Sequence, residues 1–71
     1  MSVSYKRLWK LLIDKNLKKK DLETLAGVSH YTLNKLNKGE NVTTDVLGKI
    51  CKALGCGIDD IMEFVEDNIN G

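Results

Sequence analysis

"GVSHYTLNKLNKGE", residues 27–40, reads as a turn, a short helix and a helix stop. Gly27 can take the positive φ that ends one helix, and Ser29 is placed to cap the next. Val28 precedes that cap and Leu33 stands at the fourth helical position, the spacing of a hydrophobic staple. Leu33 and Leu36 supply the inward face of a helix from His30 to Asn37, and Gly39 ends it. The opposite face carries His30, Tyr31, Asn34, Lys35 and Lys38, a set of hydrogen-bonding and cationic groups turned to solvent.

Upstream, Leu22, Leu25 and Ala26 stripe a helix from Lys19 to Ala26. Only Gly27, Val28 and Ser29 separate it from the next helix, which is the sequence form of a helix-turn-helix. Tyr5, Leu8, Trp9 and Leu12 predict a first helix from Tyr5 to Lys15, with Ser4 as N-cap and Asn16 as a left-handed end. Tyr5 and Trp9 are expected to close the core. Downstream, Thr43 repeats the capping device with Val42 and Leu47 as its staple, and Leu47, Ile50, Cys51 and Leu54 stripe a helix from Thr44 to Leu54. Gly55 stops it. Ile58, Ile61, Met62 and Val65 predict a fifth helix, about 58–66, with Asp59 and Asp60 in its first turn, where the helix dipole favours carboxylates. No window alternates as a strand does. The expected fold is all-α: five helices, no sheet, one domain over residues 1–71.

The net charge is only +1, but it is unevenly placed. Residues 1–39 hold nine Lys/Arg against three acids, a net +6, and residues 40–71 hold two Lys against seven acids, a net −5. A basic end can lie on a polyanion while an acidic end faces away. No apolar run approaches the roughly 20 residues of a membrane span. With one His there is no nucleophile–base–acid set, and a core this small leaves little room for a closed pocket, so catalysis is not expected. His30 has only Cys51 and Cys56 as companion soft ligands, too few for zinc, so neither metal nor cofactor is expected. Cys51 and Cys56 read as small core residues in a reducing, cytoplasmic setting, with a disulfide or redox role as the alternative.

"DLETLAGVSHYTLNKLNKGE" followed by "VLGKICKALGCGIDDIMEFV" resembles the Cro/cI-type, or XRE-type, helix-turn-helix family of bacteria and phages, in its compact stand-alone form. The most specific parts are "GVS", the "L..LN.GE" end of the third helix and "L.KICKALGC". The resemblance covers residues 5–65 and implies a five-helix, lambda-repressor-like domain whose third helix enters the major groove of double-stranded DNA. Two positions depart from the family pattern. Lys19 stands where many members have Gln, and Glu23 where many have a small residue facing the third helix.

On that footing His30, Tyr31, Asn34 and Lys35 are the expected base-contacting residues. Lys19, Lys20, Ser29, Thr32, Lys38 and Asn41 are the expected phosphate contacts. Asn37 reads as plain solvated surface. The implied function is sequence-specific DNA binding by a transcriptional regulator, a repressor rather than an activator, with no small-molecule ligand. One recognition helix covers few base pairs, so a weak homodimer stabilised on DNA is expected, with Met62, Phe64 and Ile69 as its patch. The rival reading is a protein-interaction or antitoxin-like module acting through the acidic fifth helix and tail.

Overall fold

The bend after residue 26 folds as its residue types dictate. In the computed structural model, which describes residues 1–66, Gly27 takes a left-handed conformation, φ 66° and ψ 35°. The Val28 N–H donates to the Glu23 carbonyl at 3.2 Å, and the Ser29 Oγ accepts from the Thr32 N–H at 3.1 Å. Val28 and Leu33 are both buried in the common core, as the staple spacing expects. The chain order is β1 (Ser2–Ser4), α1 (Lys6–Asp14), α2 (Lys19–Ala26), α3 (His30–Asn37), α4 (Thr44–Leu54), a 3₁₀ turn (Ile58–Asp60) and β2 (Glu63–Val65).

Each helix sends one fully buried side chain to a common centre: Leu8 from α1, Leu22 from α2, Leu36 from α3 and Ile50 from α4. Ile61, just past the 3₁₀ turn, is the fifth. Around them pack Tyr5, Leu12, Ala26, Val28, Leu33 and Leu54, with Val42 and Leu47 partly buried against the cluster. Two N-caps come from side-chain oxygens as expected, Ser29 for α3 and Thr43 for α4, the latter accepting from the Val46 N–H at 3.2 Å. At α2 the Asp21 carboxylate instead accepts from the Lys18 N–H at 2.8 Å. Asn16 ends the α1 region at φ 59°, as its type allows.

Four expectations are corrected. Ser4 is not the N-cap of α1; the helix begins at Lys6, and the Ser4 Oγ only receives a long bond from the Lys6 N–H at 3.4 Å. Tyr5 is freed from the helix to reach across the molecule. Its hydroxyl donates to the Glu40 carbonyl at 2.9 Å, and burial pushes its pKa up, so it stays a donor. Leu25 is 52% exposed, because an eight-residue helix packed through Leu22 and Ala26 leaves it on the outer side.

The largest correction is the fifth helix, which does not form. Asp60 accepts from the Gly57 N–H at 2.9 Å and caps a single 3₁₀ turn, after which the chain extends into β2. That strand runs antiparallel to β1, with Ser2 opposite Val65, Val3 opposite Phe64 and Ser4 opposite Glu63. Backbone hydrogen bonds from the far end of the chain thus replace those of a helix. The stripe dissolves accordingly: Ile61 is buried and Met62 packs against the core, but Ile58 and Val65 are exposed. Arg7 of α1 fastens this segment, donating to the Asp59 carbonyl at 2.8 Å and to Glu63 Oε1 at 3.2 Å. The described fold is therefore four α-helices, a 3₁₀ turn and a two-stranded sheet, and the acidic helix of the rival reading is absent from it. Among the described residues no helix is long and apolar enough to cross a membrane.

Leu33→Ala removes a buried side chain and half of the staple, so it should cost about 2–5 kcal/mol in urea melts. Leu25→Ala should change stability by no more than about 0.5 kcal/mol. An unmoved midpoint for Leu33→Ala would place this residue outside the core and undo the register of α3.

Candidate nucleic-acid interface

The outer face of α3 begins with His30 and Tyr31, both exposed, Tyr31 at 70%. One turn on come Asn34, exposed, and Lys35, half-buried. The Lys35 Nζ lies 5.5 Å from the centroid of the Tyr31 ring. This cation–π contact is worth about 0.5–1 kcal/mol at an exposed site and keeps both groups on the same stretch of surface. The Ser29 hydroxyl donates to Thr32 Oγ1 at 3.0 Å while its oxygen caps the helix, so of the two hydroxyls the Thr32 one keeps a proton to donate to a further partner. Lys38 follows the end of α3, and Asn41 lies in the loop before α4; both are exposed.

α3 is held to α2 at both ends. At its C-terminal end the Lys19 Nζ donates to Asn37 Oδ1 at 2.7 Å, and the same ammonium sits 4.4 Å from the Trp9 ring centroid. At its N-terminal end the His30 Nδ1 lies 3.0 Å from Glu23 Oε2. A carboxylate only accepts, so the Nδ1 carries the hydrogen in this contact. Glu23 thereby swings its head to the rim between the helices and keeps a partly buried stem. Lys20, exposed, stands beside Glu23, His30 and Asn34 along the groove between α2 and α3. On the other side of α3, Tyr31 and Lys35 share a groove with Asn41 and Val42.

The structure thus brings His30, Tyr31, Asn34 and Lys35 onto one face, with Lys19 and Lys20 at the start of the neighbouring helix. It does not gather the whole basic half there, because Arg7 is engaged with Asp59 and Glu63. Met62 packs against the core, Phe64 is 68% exposed on β2, and Ile69 lies outside the described residues. Asn37 was missed: the bond from Lys19 spans 18 positions and leaves no local trace in the sequence. Among the described residues no group of three or more His, Cys, Asp or Glu is placed to hold a metal ion.

Residues 7–67 match the family model described as a Cro/C1-type HTH DNA-binding domain. The chain belongs to the Cro/C1-type helix-turn-helix family. It is also similar to the crystal structure of transcriptional regulator VanUg, at 48% sequence identity and a TM-score of 0.89, over 93% of this chain and 88% of that one. No curated protein matches it. Within this Cro/C1-type domain α2 and α3 are the helix-turn-helix, and the two departures from the family pattern have each found a partner in α3: Lys19 in Asn37 and Glu23 in His30.

That second pairing has a spectroscopic consequence. With the imidazole neutral, nitrogen-15 spectra should show the His30 hydrogen on Nδ1, and Glu23→Ala should move the population toward the Nε2–H form. A native chain with its hydrogen on Nε2 would mean that Glu23 does not set the tautomer.

Proposed function

We propose that this protein is a sequence-specific double-stranded DNA-binding regulator that reads the major groove with α3. The observation that carries the reading is the outer row of exposed His30, Tyr31 and Asn34 with half-buried Lys35, set on a helix pinned at both ends to α2. Base readout needs side chains held in register over several base pairs, and pinning supplies that. The chemistry of each group gives its preferred edge. A His30 Nε2 without hydrogen accepts from cytosine N4 or adenine N6. Lys35 donates to guanine O6 and N7, Asn34 pairs with adenine, and the Tyr31 ring suits a thymine methyl. Lys19 and Lys20 lie in the first turn of α2, where the helix dipole and two ammonium groups together favour a phosphate. Thr32, Lys38 and Asn41 flank the same strand path, with Ser29 contributing through its Thr32 contact.

The working unit on DNA is a symmetric dimer on two half-sites about one helical turn apart, since one α3 specifies too few base pairs for a unique address. The exposed Phe64 is its most apolar candidate contact among the described residues at that end of the chain. The acidic neighbour Glu66 makes the free dimer weak and leaves DNA to hold the two copies together. Occupancy of such a site excludes polymerase without any further surface, which favours repression, in the cytoplasm where the DNA of a bacterial or phage host lies.

A selection from random duplexes should return a palindromic site. On it, Tyr31→Ala and Lys35→Ala should each cost about 1–3 kcal/mol and relax preference at individual positions. Lys20→Ala, which leaves both pins of α3 intact, should weaken all sequences alike and reduce the slope of log affinity against log salt by about 1. Unchanged base preferences in both α3 variants would show that another element reads the DNA.

A further inference from the structure

Cys51 and Cys56 take no part in the interface above. Both are free thiols, half-buried against the core. Their placement follows from the way α4 ends. Gly55 takes the left-handed conformation, φ 64° and ψ 42°, and the Cys56 N–H donates to the Cys51 carbonyl at 3.0 Å. This is the long hydrogen bond of a Schellman motif, which sets a residue of the last turn beside the second residue after the cap. That contact is commonly between two apolar side chains; here it is between two cysteines.

The same hydrogen bond limits how far apart the two residues can be. A carbonyl oxygen lies about 2.4 Å from its own Cα and an amide nitrogen about 1.5 Å from its own, so with the bond included the two Cα atoms are at most about 6.9 Å apart. Any bend in that path brings them within the roughly 4.4–6.8 Å that disulfides span. The thiols already sense each other. Burial pushes the Cys56 thiol up, and Cys51 pushes it further, both through its charge and as a side-chain hydrogen-bond partner. Asp60 acts in the same direction and Lys15 against it.

We propose that Cys51 and Cys56 form a reversible redox pair, a modification site at which a disulfide clasps the end of α4 to the segment leading into β2. The oxidant is a low-molecular-weight disulfide. The thiolate of one cysteine attacks it, a protein–small-molecule mixed disulfide forms, and one small thiol leaves. The second cysteine, deprotonated, then attacks the protein sulfur of that mixed disulfide and expels the second small thiol. Two protein thiols lose two electrons and two protons, and one small disulfide becomes two thiols. In a reducing compartment the bridge is transient and reports oxidant rather than serving as a permanent staple. The pair lies at the end of α4 and not on α3, so the clasp acts on the C-terminal segment and its packing.

The test uses the full chain in a buffer of reduced and oxidised glutathione, quenched with acid and weighed. The expected product is a monomer two hydrogens lighter, with Cys51 joined to Cys56 in the peptide map. Its ratio to the dithiol should be at least about tenfold higher in the folded chain than in the same buffer with denaturing urea, because the folded cap holds the thiols together. By linkage the oxidised chain then melts higher than the reduced one. Cys56→Ser should stop at a glutathione adduct on Cys51. Persistent adducts on separate cysteines in the native chain, chains linked to each other, or a ratio no higher folded than in urea would each overturn the proposal.

Discussion

The burial of Val28 and Leu33, on either side of the start of α3, is the constraint on which the rest of the molecule depends. Both side chains are buried, and they fix the direction in which α3 leaves the turn. Only with that angle set can Lys19 reach Asn37 and Glu23 reach His30. Those two bonds are exposed, and each contributes no more than about 0.5–1.5 kcal/mol. Apolar burial therefore holds α3 in place, and the polar bonds choose its rotation and the facing of its first side chain.

The remaining elements serve this arrangement from behind. Leu8, Leu22, Leu36, Ile50 and Ile61 meet in one centre, so each helix is anchored through at least one side chain that sees no solvent. Tyr5 ties the start of α1 to the loop after α3 through the Glu40 carbonyl. Arg7 ties α1 to the 3₁₀ turn and to β2. As an exposed ion pair the Arg7–Glu63 contact is worth only about 0–1 kcal/mol, but it also neutralises a cation that would otherwise add to the basic surface. The asymmetry of charge along the chain thus overstates the asymmetry of charge on the DNA-facing side.

What was legible in the sequence was local. The spans 19–26, 30–37 and 44–54 were read where the structure has them, because Ser29, Thr43, Gly27 and Gly55 state the ends and the apolar spacing states the face. The row from His30 to Lys35 followed from the same spacing. What failed depended on residues far apart. Ile58, Ile61, Met62 and Val65 keep helical spacing, but a single capped turn followed by a strand places apolar residues at the same intervals. Pairing with Val3 at the other end of the chain decides between them, and no local window contains it. Glu23 appeared as an oddity facing α3, and its partner became visible only once the turn had folded.

The central claim is that the N-terminal half of α3 lies in the major groove. Intermolecular nuclear Overhauser contacts in a complex with a selected palindromic duplex test it most directly. The account predicts contacts from the side chains of His30, Tyr31 and Lys35 to major-groove protons, thymine methyls and cytosine H5 among them. Contacts confined to minor-groove sugar protons, or coming from another element while these three side chains stay solvent-facing, would contradict it.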